Sequence, residues 1–67
     1  MSVARITTLS ANSPTSFEAA IKEGVDRAHK TLRGVTGAWV KEQKVEIKDG
    51  GIVAWHVVLE VTFVLED

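Results

Sequence analysis

The sequence predicts an α+β domain: one amphipathic helix on a three-stranded antiparallel sheet, in the order strand, helix, strand, strand. Three observations predict it. Gly51 to Leu65 reads GIVAWHVVLEVTFVL, an uninterrupted strand-like run. Apolar residues between positions 17 and 32 recur at spacings of three and four, the period of one helix stripe. Asp49-Gly50-Gly51 stands between two extended runs as a hairpin turn signal.

The first strand is expected over residues 2–9, SVARITTL, where β-branched residues are frequent and side chains alternate. Ser10 to Thr15 reads as a loop, punctuated by Asn12, Ser13 and Pro14. Ser13 before Pro14 suits a helix N-cap with proline at the first helical position. Ser16 is a competing cap one turn further on.

The helix is expected to run to Arg33. Phe17, Ala20, Ile21, Val25, Ala28 and Leu32 form its apolar stripe. Glu18–Lys22, Glu23–Arg27 and Asp26–Lys30 are i,i+4 pairs in the favourable order. Gly24 stands mid-helix, where glycine costs about 1 kcal/mol against alanine. A close approach of helix to sheet would account for it. Gly34 suits the position just past the helix end.

The second strand is expected over Val35–Lys48 and the third over Gly51–Leu65. In the third, Trp55, Val57, Leu59, Val61, Phe63 and Leu65 share one wholly apolar face. Ala54, His56, Val58, Glu60, Thr62 and Val64 share the other, which is apolar at half its positions. One helix covers only one face of the sheet. The second face is left for other copies of the chain or for a ligand.

Size points the same way. The 67 residues make a single domain, 1–67. A monomer this small buries only about 60% of the surface its unfolded chain exposes. The sequence has no cysteine, which excludes disulfides and thiolate zinc sites. His29 and His56 lack metal-ligand spacing. Assembly is the remaining route to stability, and the isolated subunit is expected to be unstable.

Eight Lys and Arg against nine Asp and Glu leave no field that would draw nucleic acid. Lys22, Arg27, Lys30 and Arg33 read as a solvated helix face that suits the dipole. The N-terminus has no apolar signal region, and no run is long and helical enough to span a bilayer. The expected location is cytoplasmic.

Few residues invite chemistry. Glu42, Glu46 and Glu60 could approach one another across the hairpin, a pattern that serves intersubunit salt bridges or a cation such as calcium. His56 lies mid-strand with no serine or cysteine beside it as a nucleophile and no acid evident to orient it, so catalysis is not expected. Trp55 shares the apolar core face. Trp39 follows Gly37 and Ala38 at the opening of the second strand, where a large ring beside small residues suits an interface or ligand stacking.

SPTSFEAAIKEGV at the helix start, RAHKTLRG at its end, VKEQ in strand two, the DGG turn, and VVLEVTF running to Leu65-Glu66-Asp67 together resemble the dodecin family over nearly the whole chain. No single one of these motifs is specific; their collinear spacing carries the similarity. The resemblance implies a β-α-β-β subunit whose bent sheet wraps around the helix, and a hollow homododecamer. It implies a non-enzymatic protein that binds or stores flavin, riboflavin or FMN, stacked against tryptophan. The family's stacking tryptophan falls at Gly37 here, and its flavin-bonding glutamine at His56. Trp39, two residues on, would point to the same side of a regular strand as Gly37. The ligand set implied is Gly37, Trp39, Gln43 and His56. Some dodecin-like proteins without the tryptophan are associated with calcium, and the VKEQ and LEVTF stretches resemble that branch. Glu42, Glu46 and Glu60 would then be the metal ligands. With glycine at position 37, weaker flavin binding is expected, since an aromatic pair contributes roughly 0.5–1.5 kcal/mol beyond its buried area.

Overall fold

The computed structural model describes residues 3–65. Ser2, expected in the first strand, and Glu66-Asp67, part of the resemblance, lie outside them. The elements are β1 (Val3–Ser13), α1 (Phe17–Thr31), β2 (Val35–Lys48) and β3 (Gly51–Leu65). They form one three-stranded sheet in the order β1-β3-β2, both pairings antiparallel. The last strand is therefore the central one.

β1 is longer than its composition suggests. Ser10, Ala11, Asn12 and Ser13, expected in a loop, pair with Val58, Val57, His56 and Trp55. Ladder hydrogen bonds to a strongly apolar central strand override the weak local propensity of these residues. Ser13 is buried, and its Oγ accepts from the Thr15 N–H at 3.0 Å to turn the chain. The helix cap is Ser16, whose Oγ accepts from the Ala19 N–H at 3.0 Å. That satisfies one of the amides the first turn leaves open.

The helix ends at Thr31, two residues before the expected Arg33. Leu32 turns to extended backbone, packs against the core, and donates its N–H to the Ala28 carbonyl at 2.9 Å. Gly34, with φ +72°, redirects the chain into β2, and its carbonyl accepts from the Val64 N–H at 2.9 Å. A Cβ there would lie 2.8 Å from the Val64 carbonyl oxygen. Asp49 and Gly50 both have positive φ, as a two-residue type I′ hairpin turn requires.

The core is the apolar face of β3 under the helix. Val57, Leu59 and Val61 are fully buried with Ala20 and Ala28, and Leu9, Ile21, Val25 and Leu32 pack around them. The helix faces the sheet through Ala20, Gly24 and Ala28 at intervals of four. At Gly24 a Cβ would stand 2.8 Å from Leu59 Cδ1 and 3.2 Å from Leu9 Cδ1. The close approach expected there is present. Trp55 is half-buried, opposite Ser13 and Val45, rather than one of the fully buried residues. A ring of that size is rarely enclosed completely.

None of the three expected helix ion pairs forms among the described residues. Lys22 turns to Asp26 instead, at 2.9 Å. The bond to Asp26 holds the Lys22 pKa above its ordinary value and that of Asp26 below its own.

Beyond Trp55 the β2–β3 hairpin continues without β1 as a two-stranded ribbon that carries exposed Ile47, Ile52 and Val53. The subunit is elongated as a result, 52 Å against 19 and 13 Å.

Candidate functional site

Cross-strand pairing assigns each candidate residue to a face. Val57, Leu59 and Val61 lie under the helix, so His56, Val58, Glu60 and Thr62 point outward. β2 does not follow β3 in simple alternation. Its register shifts between Val35 and Gly37, between Val40 and Glu42, and between Glu46 and Ile47. The first two shifts each insert one extra residue in β2, Thr36 and Lys41, as a β-bulge does, and so re-aim the side chains after them; the third skips Val53 of β3.

The first two bulges build the site. Gly37 pairs with Thr62 and Trp39 with Glu60, so both belong to the outer face, as expected for residues two apart. Past the bulge at Lys41, the outward residues are Glu42, Lys44 and Glu46. Gln43 pairs with Val57 and so stands on the helix side, away from Trp39. Lys41 itself reaches the outer face, with Nζ 3.7 Å from Glu60 Oε1.

Trp39 is half exposed, and no heavy atom lies within 4 Å of where a Cβ on Gly37 would sit. The result is an indole face beside an open step. Glu60 lies directly across from Trp39. Its Oε2 accepts from the Thr8 hydroxyl at 2.8 Å, and its side chain is only 14% exposed.

His56 shares this face but not this place. It lies four residues along β3 from Glu60, about 13 Å at the strand rise. Its neighbours are Lys44 across β2, Asn12 across β1, and Glu46, whose Oε2 is 3.5 Å from His56 Nε2. One subunit therefore does not bring Trp39 and His56 onto a single small ligand. The same holds for Glu42, Glu46 and Glu60. All three are outward, yet no group of three acidic, histidine or cysteine side chains suited to a metal forms among the described residues.

Two recesses flank the helix. An apolar cleft of about 290 Å³ lies between the helix and the β2 edge, and Gly37 and Trp39 line it together with Ile21, Val25, His29 and Val40. A larger, mixed groove of about 720 Å³ runs between the helix and β1 and holds none of the candidate ligand residues. No helix among the described residues is long and apolar enough to cross a membrane.

The dodecin family model matches residues 3–66. The chain belongs to the dodecin family. Two relatives place it within that family. The dodecin of Thermus thermophilus is 44% identical over 55 residues, covering 82% of this chain and 80% of that protein. The calcium dodecin of Mycobacterium tuberculosis is 35% identical over 63 residues, covering 94% and 89%. A solved Thermus thermophilus dodecin superposes with a TM-score of 0.93 at 39% identity, over the whole of both chains. The calcium dodecin structure, described as having a novel calcium-binding site, superposes at 0.82 with 31% identity, over 96% and 91%. The β-α-β-β fold expected from the sequence is thus the dodecin fold. The signal that sequence reading missed is the bulge at Lys41, which turns Gln43 away from the face that Trp39, Lys41 and Glu60 share.

Proposed function

We propose that this dodecin is a non-enzymatic ligand-binding subunit of a homododecameric shell, holding a planar aromatic ligand of the flavin type at an outer-face site between copies. The observation that carries this reading is Trp39, half exposed beside the empty step at Gly37. An indole in that position offers a stacking surface. The distance between Trp39 and His56 within one subunit favours a pocket completed by a second copy, with His56 contributing a hydrogen bond from the neighbour. Assembly also answers the exposure of Val3, Ile6, Ile47, Ile52 and Val53. Exposed apolar surface on that scale marks an interaction surface.

A second reading has its own support. Similarity to the calcium dodecin spans 94% of the chain, and Glu42 and Glu46 are exposed on the outer face. A calcium site would then be assembled from carboxylates of several copies.

Fluorescence titration of the size-checked oligomer with riboflavin and FMN tests the first reading. Saturable quenching of flavin emission is the expected result, and Gly37→Trp is expected to tighten it. No quenching at micromolar protein would overturn the flavin reading. A melting temperature that rises with added calcium would then support the second, since a ligand of the native state stabilises it.

A further inference from the structure

We infer that Glu60 is the specificity-determining acceptor of the Trp39 site, selecting planar ligands that carry a hydroxyl or N–H donor at the ring edge or on an attached chain. This inference rests on the stacking site proposed above.

Three observations carry it. Glu60 pairs directly across from Trp39, so its carboxylate lies at the edge of anything stacked on the indole. Its side chain is mostly buried, at 14% exposure, although it lies on the outer face. Its two oxygens are unequally served. Oε2 accepts the Thr8 hydroxyl at 2.8 Å, whereas Oε1 meets Lys41 Nζ only at 3.7 Å, beyond hydrogen-bonding distance. An anion this far out of water, held by one oxygen with the other open, favours a donor.

The surrounding strands fix this geometry. Thr8 anchors the carboxylate from β1, and Lys41, two residues past Trp39, brings a cation onto the same face from β2. Lys41 is 60% exposed and free to swing aside when a ligand arrives. A donor on the ligand would complete the coordination of Oε1. A ligand of equal ring area without a donor would leave it open and would bind less tightly.

The test is a quenching titration of the intact oligomer with three probes: riboflavin, N3-methylriboflavin with its ring-edge donor blocked, and lumiflavin with no hydroxylated chain. The variants are Glu60→Gln and Thr8→Val, both close in volume to the native residues. Glu60→Gln should weaken riboflavin roughly tenfold, the scale of a hydrogen bond to a charged group. The loss should shrink or vanish for the probe lacking the donor that Glu60 reads, which tells the ring edge from the chain. Thr8→Val should give a smaller loss with the same probe pattern. Equal losses for all three probes, or no loss for any, would overturn the inference while leaving the stacking site intact. Failure of the native oligomer to quench any of the three would overturn both together.

Discussion

Gly24→Ala sets two effects of known size against each other, and the structure decides between them. Alanine is the better helix former by about 1 kcal/mol at an interior position. Against that gain, the added methyl would lie 2.8 Å from Leu59 Cδ1, 3.2 Å from Leu9 Cδ1 and 3.4 Å from Ala11 Cβ. Carbon atoms prefer about 3.5–4.0 Å. Leu59 is fully buried between helix and sheet, so its methyl has no vacant space to move into. Overpacking of this kind costs about 1–3 kcal/mol. The net expectation is a loss of about 1 kcal/mol, which lowers Tm by roughly 4–8 °C for a domain this small. Thermal melts followed by circular dichroism, at one fixed protein concentration because assembly contributes to stability, would measure it. Gly37→Ala is the control: nothing lies within 4 Å of its Cβ position, and its Tm should hold or rise slightly. If Gly24→Ala raises Tm by the amount helix propensity alone predicts, the close approach of helix to sheet is not what keeps glycine there.

Gly34→Ala should cost more than Gly24→Ala. It adds about 1–2 kcal/mol of left-handed backbone strain, and the clash at 2.8 Å is with the Val64 backbone carbonyl, which cannot rotate away; chemical denaturation would read the difference. Ser16→Ala should lose about 1 kcal/mol with the N-cap, whereas Ser16→Asp should retain most of it in the same assay. The Lys22–Asp26 bond has a signed pH dependence. Asp26 is held below its ordinary 3.8, so its stabilisation is present above pH 3.8 and is lost as pH falls through the lowered value. Lys22 is held above 10.5, so its share is present below pH 10.5 and is lost as pH rises through the raised value. Both groups are exposed, so the effect on stability is small. A carboxyl NMR titration should find the Asp26 midpoint below 3.8, and Lys22→Met should return it to the ordinary value.

Much of the fold was legible because local and global signals agree. The helix stripe, the Asp49-Gly50 turn and the alternation of β3 each specify one element, and the bounds of β2 and β3 emerge where the sequence places them. The end of β1 was not legible. Ser10 to Ser13 are strand residues only because β3 supplies partners, and no local signal encodes that. The helix end misled for a related reason: Leu32 fits the apolar stripe but is recruited to the core in extended form. At the site, residue types were legible and their faces were only partly so. Trp39 and Gly37 share a face as a regular strand predicts, because the bulges lie on either side of them. Gln43 lies beyond the second bulge, and nothing in its own neighbourhood announces the change of side. The isolation of His56 from Trp39 follows from register, which depends on the whole hairpin.

The strand order has a consequence for how the protein is made. β3 is the partner of both other strands and carries the buried core, yet it is synthesised after β1, the helix and β2. β1 and the helix can emerge early, but the surface on which they pack does not yet exist. Val3 pairs with Leu65, joining the two ends of the described residues. Folding therefore has to wait for synthesis to pass β3, and it begins with the closure of long loops. A product cut short before Gly51 is not a smaller domain. It is two strands and a helix without the central strand that pairs them, and a chaperone or protease would meet it as unfolded chain.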